Sequence, residues 1–324
     1  MSKSWSLTAK LAAFSVLAVA FGATMIALSM RAPHHEHDSF AFDDSWDGHS
    51  KRIEKQFTVQ PDGDLVIDTD DGEISITGTD SNQVSVVVSE RGSSERLEKF
   101  SLDFNQTGNK VTITGREDRE FFHNWGNNSL DVKFQVRVPK KFNFRLNTSG
   151  GDIALQQVSG TTEGETSGGN IDLTEYDGKV RLTTSGGDLT VQKCSGDFYL
   201  QTSGGNVRGE SVVGTIDFET SGGNIVLRDT DGKLRASTSG GNIRAEVKGN
   251  KGIDLETSGG NIIVLLPKST AGTVDATTSG GDVSCDLEFS GKIKDGTMHG
   301  KINGGGDLIH LETSGGNIEI DPLD

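Results

Sequence analysis

Apolar and polar residues alternate with a period of two along much of this chain. Asp64-Leu-Val-Ile-Asp68, Glu73-Ile-Ser-Ile-Thr77, Gln83-Val-Ser-Val-Val-Val88, Lys110-Val-Thr-Ile-Thr114 and Leu130-Asp-Val-Lys-Phe-Gln-Val-Arg-Val138 each turn one face inward, which predicts strands. Pro61-Asp62-Gly63, Asp71-Gly72 and Arg91-Gly92 supply turn chemistry between them. Ser94 to Phe100 is the one short stretch with a helical pattern. Residues 53–147 thus read as an irregular β region that starts and caps the more regular chain from Thr148 onward.

From Thr148 the alternation is organised by a phrase, Thr-Ser-Gly-Gly followed by Asn or Asp. It starts at Thr148, Thr166, Thr184, Thr202, Thr220 and Thr238, each 18 residues apart, and returns at Thr257, Thr278 and Thr313. A fixed period of this length marks a stacked repeat. Thr166 to Thr183 holds two short apolar-alternating runs, around Ile171 to Leu173 and Val180 to Leu182, with glycine turns at Gly168-Gly169 and Gly178. A three-sided left-handed helix would need apolar residues six apart, but Ile171 is followed at that spacing by Asp177 and Thr183. The prediction is an all-β, two-sided parallel β-solenoid over 148–324, right-handed, with about 18 residues per coil. Ile153, Ile171, Leu189, Val207, Ile225, Ile243, Ile262 and Val283 form one inward column, and Val180, Phe198, Ile216, Leu234, Ile253 and Val274 face it. The repeated Thr points inward, where its hydroxyl can satisfy turn backbone. The Asn/Asp column, in which no two Asp are neighbours, predicts amides hydrogen-bonded along the stack. Lys292 to Asn303 reads as a variant coil, with Asn303-Gly-Gly-Gly-Asp307 imitating the phrase.

Residues 1–31 read differently. Leu11 to Met30 is twenty residues without a charge, preceded by Lys3 and Lys10, long enough to span a bilayer as a helix. Ala27-Leu28-Ser29 offers a weak cleavage site, so a signal peptide and a signal anchor both fit. Either one exports the rest to the cell envelope. A His- and Asp-rich linker lies at 32–52, where His34, His35, His37 and His49 are candidate ligands for Zn²⁺, Ni²⁺ or Cu²⁺. A solvated linker without fixed geometry accounts for the same residues.

Charge and composition narrow the function. A net charge of −16 argues against nucleic acid, whose binding needs Lys and Arg on phosphates. Forty-three glycines against five prolines, placed at fixed positions, speak for turns rather than a flexible linker. Cys194 and Cys285 lie about five coils apart, or about 24 Å at ~4.8 Å per coil, too far for a disulfide. Phe121, Phe122, His123 and Trp125 crowd into one loop-like segment, a candidate grip for a sugar or partner and equally a plug over the open core.

An apolar export segment, irregular strands, the Val138-Pro139 step and TSGG[ND]-I-x-L repeats together resemble the bacterial "putative adhesin" family of β-strand-repeat envelope proteins, over about residues 55–320. The resemblance implies a β-solenoid at the envelope and carries no catalytic residues or cofactor. The expected function is a non-enzymatic adhesin or scaffold that binds a glycan or envelope protein. One alternative is a polysaccharide-active enzyme on a parallel β-helix, which would need a carboxylate cluster departing from the columns. Another is a calcium-dependent β-roll, whose G-G-x-G-x-D turn is not matched by Gly-Gly-Asn-Ile.

Overall fold

Backbone hydrogen bonds join the strands into a single 24-stranded open sheet. The structure, a computed structural model, describes residues 49–118 and 130–323. The chain is all-β, and Ser94–Lys99 is the one helix among the described residues, capped by the Ser93 hydroxyl accepting from Arg96 N–H. No helix among the described residues is long and apolar enough to cross a membrane. The apolar segment Leu11 to Met30 lies outside them.

The 18-residue repeat makes two parallel ladders. In one, Ile153, Ile171, Leu189, Val207, Ile225, Ile243 and Ile262 stand side by side. In the other, Phe144, Thr162, Val180, Phe198, Ile216, Leu234 and Ile253 do so. Both rows are buried and belong to one hydrophobic core, except for Thr162, a buried polar member. The core is thin, and a buried Tyr176 fills part of it, its hydroxyl 2.9 Å from Gly160 O and 2.8 Å from Thr162 Oγ1. Burial pushes that phenol up to about 12.

Each corner is built by the phrase. Thr202 is 1% exposed; its Oγ1 donates to Gly187 O of the preceding repeat at 2.8 Å and accepts from Gly205 N–H at 3.2 Å. The same pair of bonds recurs at Thr166, Thr184, Thr220 and Thr238. The inward Thr therefore ties one repeat to the next as well as closing its own turn. Thr202→Val keeps the shape and removes both bonds, so it should destabilise the fold by about 2 kcal/mol in urea titration. An unchanged midpoint would show that the hydroxyl contributes nothing.

The Asn/Asp column works by a different bond from the expected amide ladder. Asn170 Oδ1 accepts the backbone N–H of Asp188 at 2.9 Å, and Asp188 Oδ1 that of Asn206 at 2.7 Å. The oxygen does the work, which either residue provides. Amide donors contribute only long contacts of 3.3 Å, at Asn206 and Asn242.

The two ends of the stack depart from chain order. Gly63–Thr69 lies between Lys110–Glu117 and Phe142–Asn147, and Glu73–Thr79 between Asp131–Pro139 and Ile153–Gln156. At the other end Leu308–Thr313 is inserted between Ile253–Thr257 and Gly272–Thr278. Ile318–Leu323 is likewise inserted between Ile262–Pro267 and Val283–Cys285. The sequence columns placed Val274 next to Ile253 and Val283 next to Ile262; Ile309 and Ile318 stand between them. Identical phrases made the swap invisible. The insertion also adds a step between Cys194 and Cys285, both free thiols.

Two further expectations are corrected. Lys292 to Asn303 is no coil: Phe289–Lys294 and Thr297–Ile302 form an antiparallel hairpin, whose second strand also pairs antiparallel with Gly272–Thr278. Asn303, Gly304 and Gly305 have φ of 47°, 86° and 98°, a conformation the corner phrase does not use. Arg91-Gly92, read as a turn, is still paired with His49 and Ser50. Two of the edge strands, His49–Thr58 and Phe289–Lys294, are antiparallel additions that carry charges such as Lys51, Arg52, Lys292 and Lys294. Charged edges discourage pairing with another chain.

Glu90 is the awkward residue of the first cap. It is fully buried, neither carboxylate oxygen has a hydrogen bond, and Lys51 Nζ stands 3.6 Å away. Burial raises its ionisation point and Lys51 only partly opposes this. The fold thus holds that proton more tightly than the unfolded chain does. Its stabilising contribution is present at low pH and is lost as pH rises through the folded value. Glu90→Gln should melt higher than the parent at pH 7, with the difference closing towards about pH 4; a pH-independent difference would contradict this.

Candidate functional site

Strand periodicity leaves every second residue on the outside, so surface chemistry is also stacked in rows. Beside the corner, Glu219, Ser237, Glu256 and Glu312 stand in register on neighbouring strands. The phrase serines Ser221, Ser239, Ser258 and Ser314 run parallel to them and are exposed. Between the two rows lies a polar trough of about 300 Å³. Neighbouring strands are ~4.8 Å apart, so its hydroxyls and carboxylates recur at that interval.

The next outward row is charged. Asp217, Arg235 and Asp254 face one another across three strands. Arg235 lies 4.0 Å from Asp217, 3.5 Å from Asp254 and 3.9 Å from Glu256. Partial burial raises the Asp217 carboxyl, against the pull of Arg235 and Arg181. The guanidinium of Arg181 lies over the Tyr199 ring, 4.2 Å from its centroid, a cation–π contact that stiffens the middle of the face. After Asp254 the row continues with His310, Asp275 and, on the hairpin, His299. A second groove of about 380 Å³ at the other end is lined by Asp64, Lys110, Asn143, Arg145, Thr161 and Glu163, among others.

These rows assemble carboxylates, hydroxyls and imidazoles on a rigid backbone. They can accept hydrogen bonds from a polyol or hold a cation. Cys194 lies outside them, buried at 2% exposure, where burial pushes its thiol up.

The Toastrack DUF4097 family model matches residues 63–321. The chain belongs to that family. The Toastrack match covers both displaced ends as well as the regular repeats. Among solved structures, the chain is similar to a "putative adhesin" from Bacteroides fragilis at 12% identity, covering 83% of this chain and 97% of that one, with a TM-score of 0.40. It is also similar to a "putative cell adhesion protein" from Clostridium sporogenes at 14% identity, covering 84% and 100%, with a TM-score of 0.23. A third is a "putative lipid binding protein" from Parabacteroides distasonis at 13% identity, covering 86% and 98%, with a TM-score of 0.28. No curated protein matches the chain.

Of the residues singled out from sequence, His34, His35 and His37 lie outside the described residues, as do Phe121, Phe122, His123 and Trp125. His49 opens the edge strand His49–Thr58, exposed and opposite Gly92. Sequence reasoning does not reach the row of Asp254, Glu256 and His310. His310 is 54 positions beyond Glu256, and only the inserted C-terminal strand brings them together. The outward alternation of Asp254 and Glu256 is the one signal the sequence offers.

Proposed function

We propose that this Toastrack chain is a non-enzymatic binding protein of the cell envelope, an adhesin or scaffold whose outer face holds an extended, polyhydroxylated polymer such as a glycan. The trough between the serine and glutamate rows carries this reading, since its acceptors repeat along the stack in the way a polymer repeats along its length. The repeats wind as a right-handed, two-sided solenoid. Residues 1–31 export or anchor it, 32–52 link it, 53–147 cap it and 148–324 present the surface. Non-enzymatic binding accounts for the rows better than catalysis, because glycoside hydrolysis requires two carboxyl groups set apart in role by their surroundings.

The test is a glycan array probed with the full chain in detergent, compared with a Ser239→Asp/Ser258→Asp double variant. Binding that the double variant loses supports the trough. Binding that the double variant retains moves the site elsewhere. Release of new reducing ends from a bound glycan would overturn the non-enzymatic reading. The calcium-roll alternative makes its own prediction, loss of β circular dichroism with EDTA, whereas corners built by Thr hydroxyls and backbone should survive the chelator.

A further inference from the structure

Arg235 neutralises Asp217 and Asp254 from between them. One step further along the row, the position between Asp254 and Asp275 is held by His310 rather than Arg or Lys. Asp254 therefore has Arg235 on one side only, and Asp275 is flanked by His310 and His299. Asp254 Oδ1 is buried and has no hydrogen-bond partner, which is costly for a carboxylate oxygen. Donor atoms of Asp254, Glu256 and His310 all lie within 4.8 Å of one another.

We propose that Asp254, Glu256 and His310 form a binding site for a divalent transition-metal ion of the Zn²⁺ type. One imidazole and two carboxylates are a ligand set such an ion accepts, with water completing the tetrahedron. Carboxylates flank the imidazole: Asp275 Oδ2 stands 4.0 Å from its Nδ1, and Glu312 Oε2 stands 3.7 Å from its Nε2. Both lie beyond hydrogen-bond distance, and either would have to close on the ring nitrogen that the ion leaves free to orient the histidine. His299, with Nδ1 3.0 Å from Asp275 Oδ1, holds that carboxylate from the hairpin side. Arg235 is the competitor, since it reaches Asp254 Oδ2 and Glu256 Oε2. The ion would enter by the other oxygen of Asp254. Two ligands come from Ile253–Thr257 and the third from the inserted Leu308–Thr313, so the ion would fasten the C-terminal insertion to the regular stack.

Calorimetric titration of the full chain in detergent with ZnCl₂ tests the site by difference, because His34, His35, His37 and His49 travel in the same chain. His310→Gln and, separately, Glu256→Gln should each lose one equivalent of Zn²⁺ or weaken it at least tenfold, with β circular dichroism unchanged. Arg235→Gln keeps all three ligands and removes the competitor, so it should bind that equivalent more tightly. The proposal is overturned if either ligand variant, natively folded, binds as the parent does, or if Arg235→Gln binds no more tightly. Glycan binding through the serine row is read separately, so loss of one result leaves the other standing.

Discussion

Truncation after Asn303 should abolish cooperative folding rather than trim the stack by one repeat. A repeat array is expected to lose little when an end is removed, since each unit touches only its neighbours. Here the last-made strands are interior. Ile309, Leu311, Ile318 and Ile320 are all fully buried, between repeats made earlier in the chain. At ~1.5–3 kcal/mol for each buried side chain, four of them contribute about 6–12 kcal/mol. A domain's whole stability is about 5–15 kcal/mol. The truncated chain should therefore show broad, early urea unfolding and ready proteolysis. A sharp transition within a few degrees of the parent melting temperature would show that Gly272–Thr278 can slide into the vacated place.

The second large effect separates the two glycines of the phrase. A Cβ on Gly205 would sit 2.0 Å from the carbonyl oxygen of Gly187 in the repeat beneath, whereas one on Gly204 would find its nearest neighbour at 3.6 Å. Neither residue has a positive φ, so the demand is for space and not for an unusual backbone conformation. Backbone cannot move aside as a side chain can. Gly205→Ala should lower stability by about 3 kcal/mol or more, at the upper end of overpacking effects, and Gly204→Ala by well under ~1 kcal/mol. Paired urea titrations would decide it; equal effects at both positions would mean the corner is looser than its geometry.

This asymmetry shows how far the sequence could be read. That Gly-Gly makes the corner is evident from its period, but both glycines recur equally, and only the stacking distance tells which one is indispensable. The strand alternation locates Gly63–Thr69, Ile171–Thr174 and Asp177–Thr183, because burial on one face imposes the period directly. The order of strands at the ends is not legible, because Thr278 and Thr313 carry the same phrase and either could follow Thr257 in space. What settles it is Thr313 donating to Gly260 O, with Thr278 donating in turn to Gly316 O. The Asp254, Glu256 and His310 cluster is hidden for the same reason, since no periodicity links residue 256 to residue 310.

Displaced ends also set a timetable. The strands Gly63–Thr69 and Glu73–Thr79 emerge early from a chain made from its N-terminus, yet their neighbours on both sides are not complete until Gln156. At the far end the hairpin and Gly272–Thr278 have no seat until Leu308–Thr313 and Ile318–Leu323 have arrived. Middle repeats can assemble as they appear, but neither end can close early. Long-range pairings of this kind fold slowly. On the export reading proposed above, that delay keeps both ends of the stack open while the chain is still a thread.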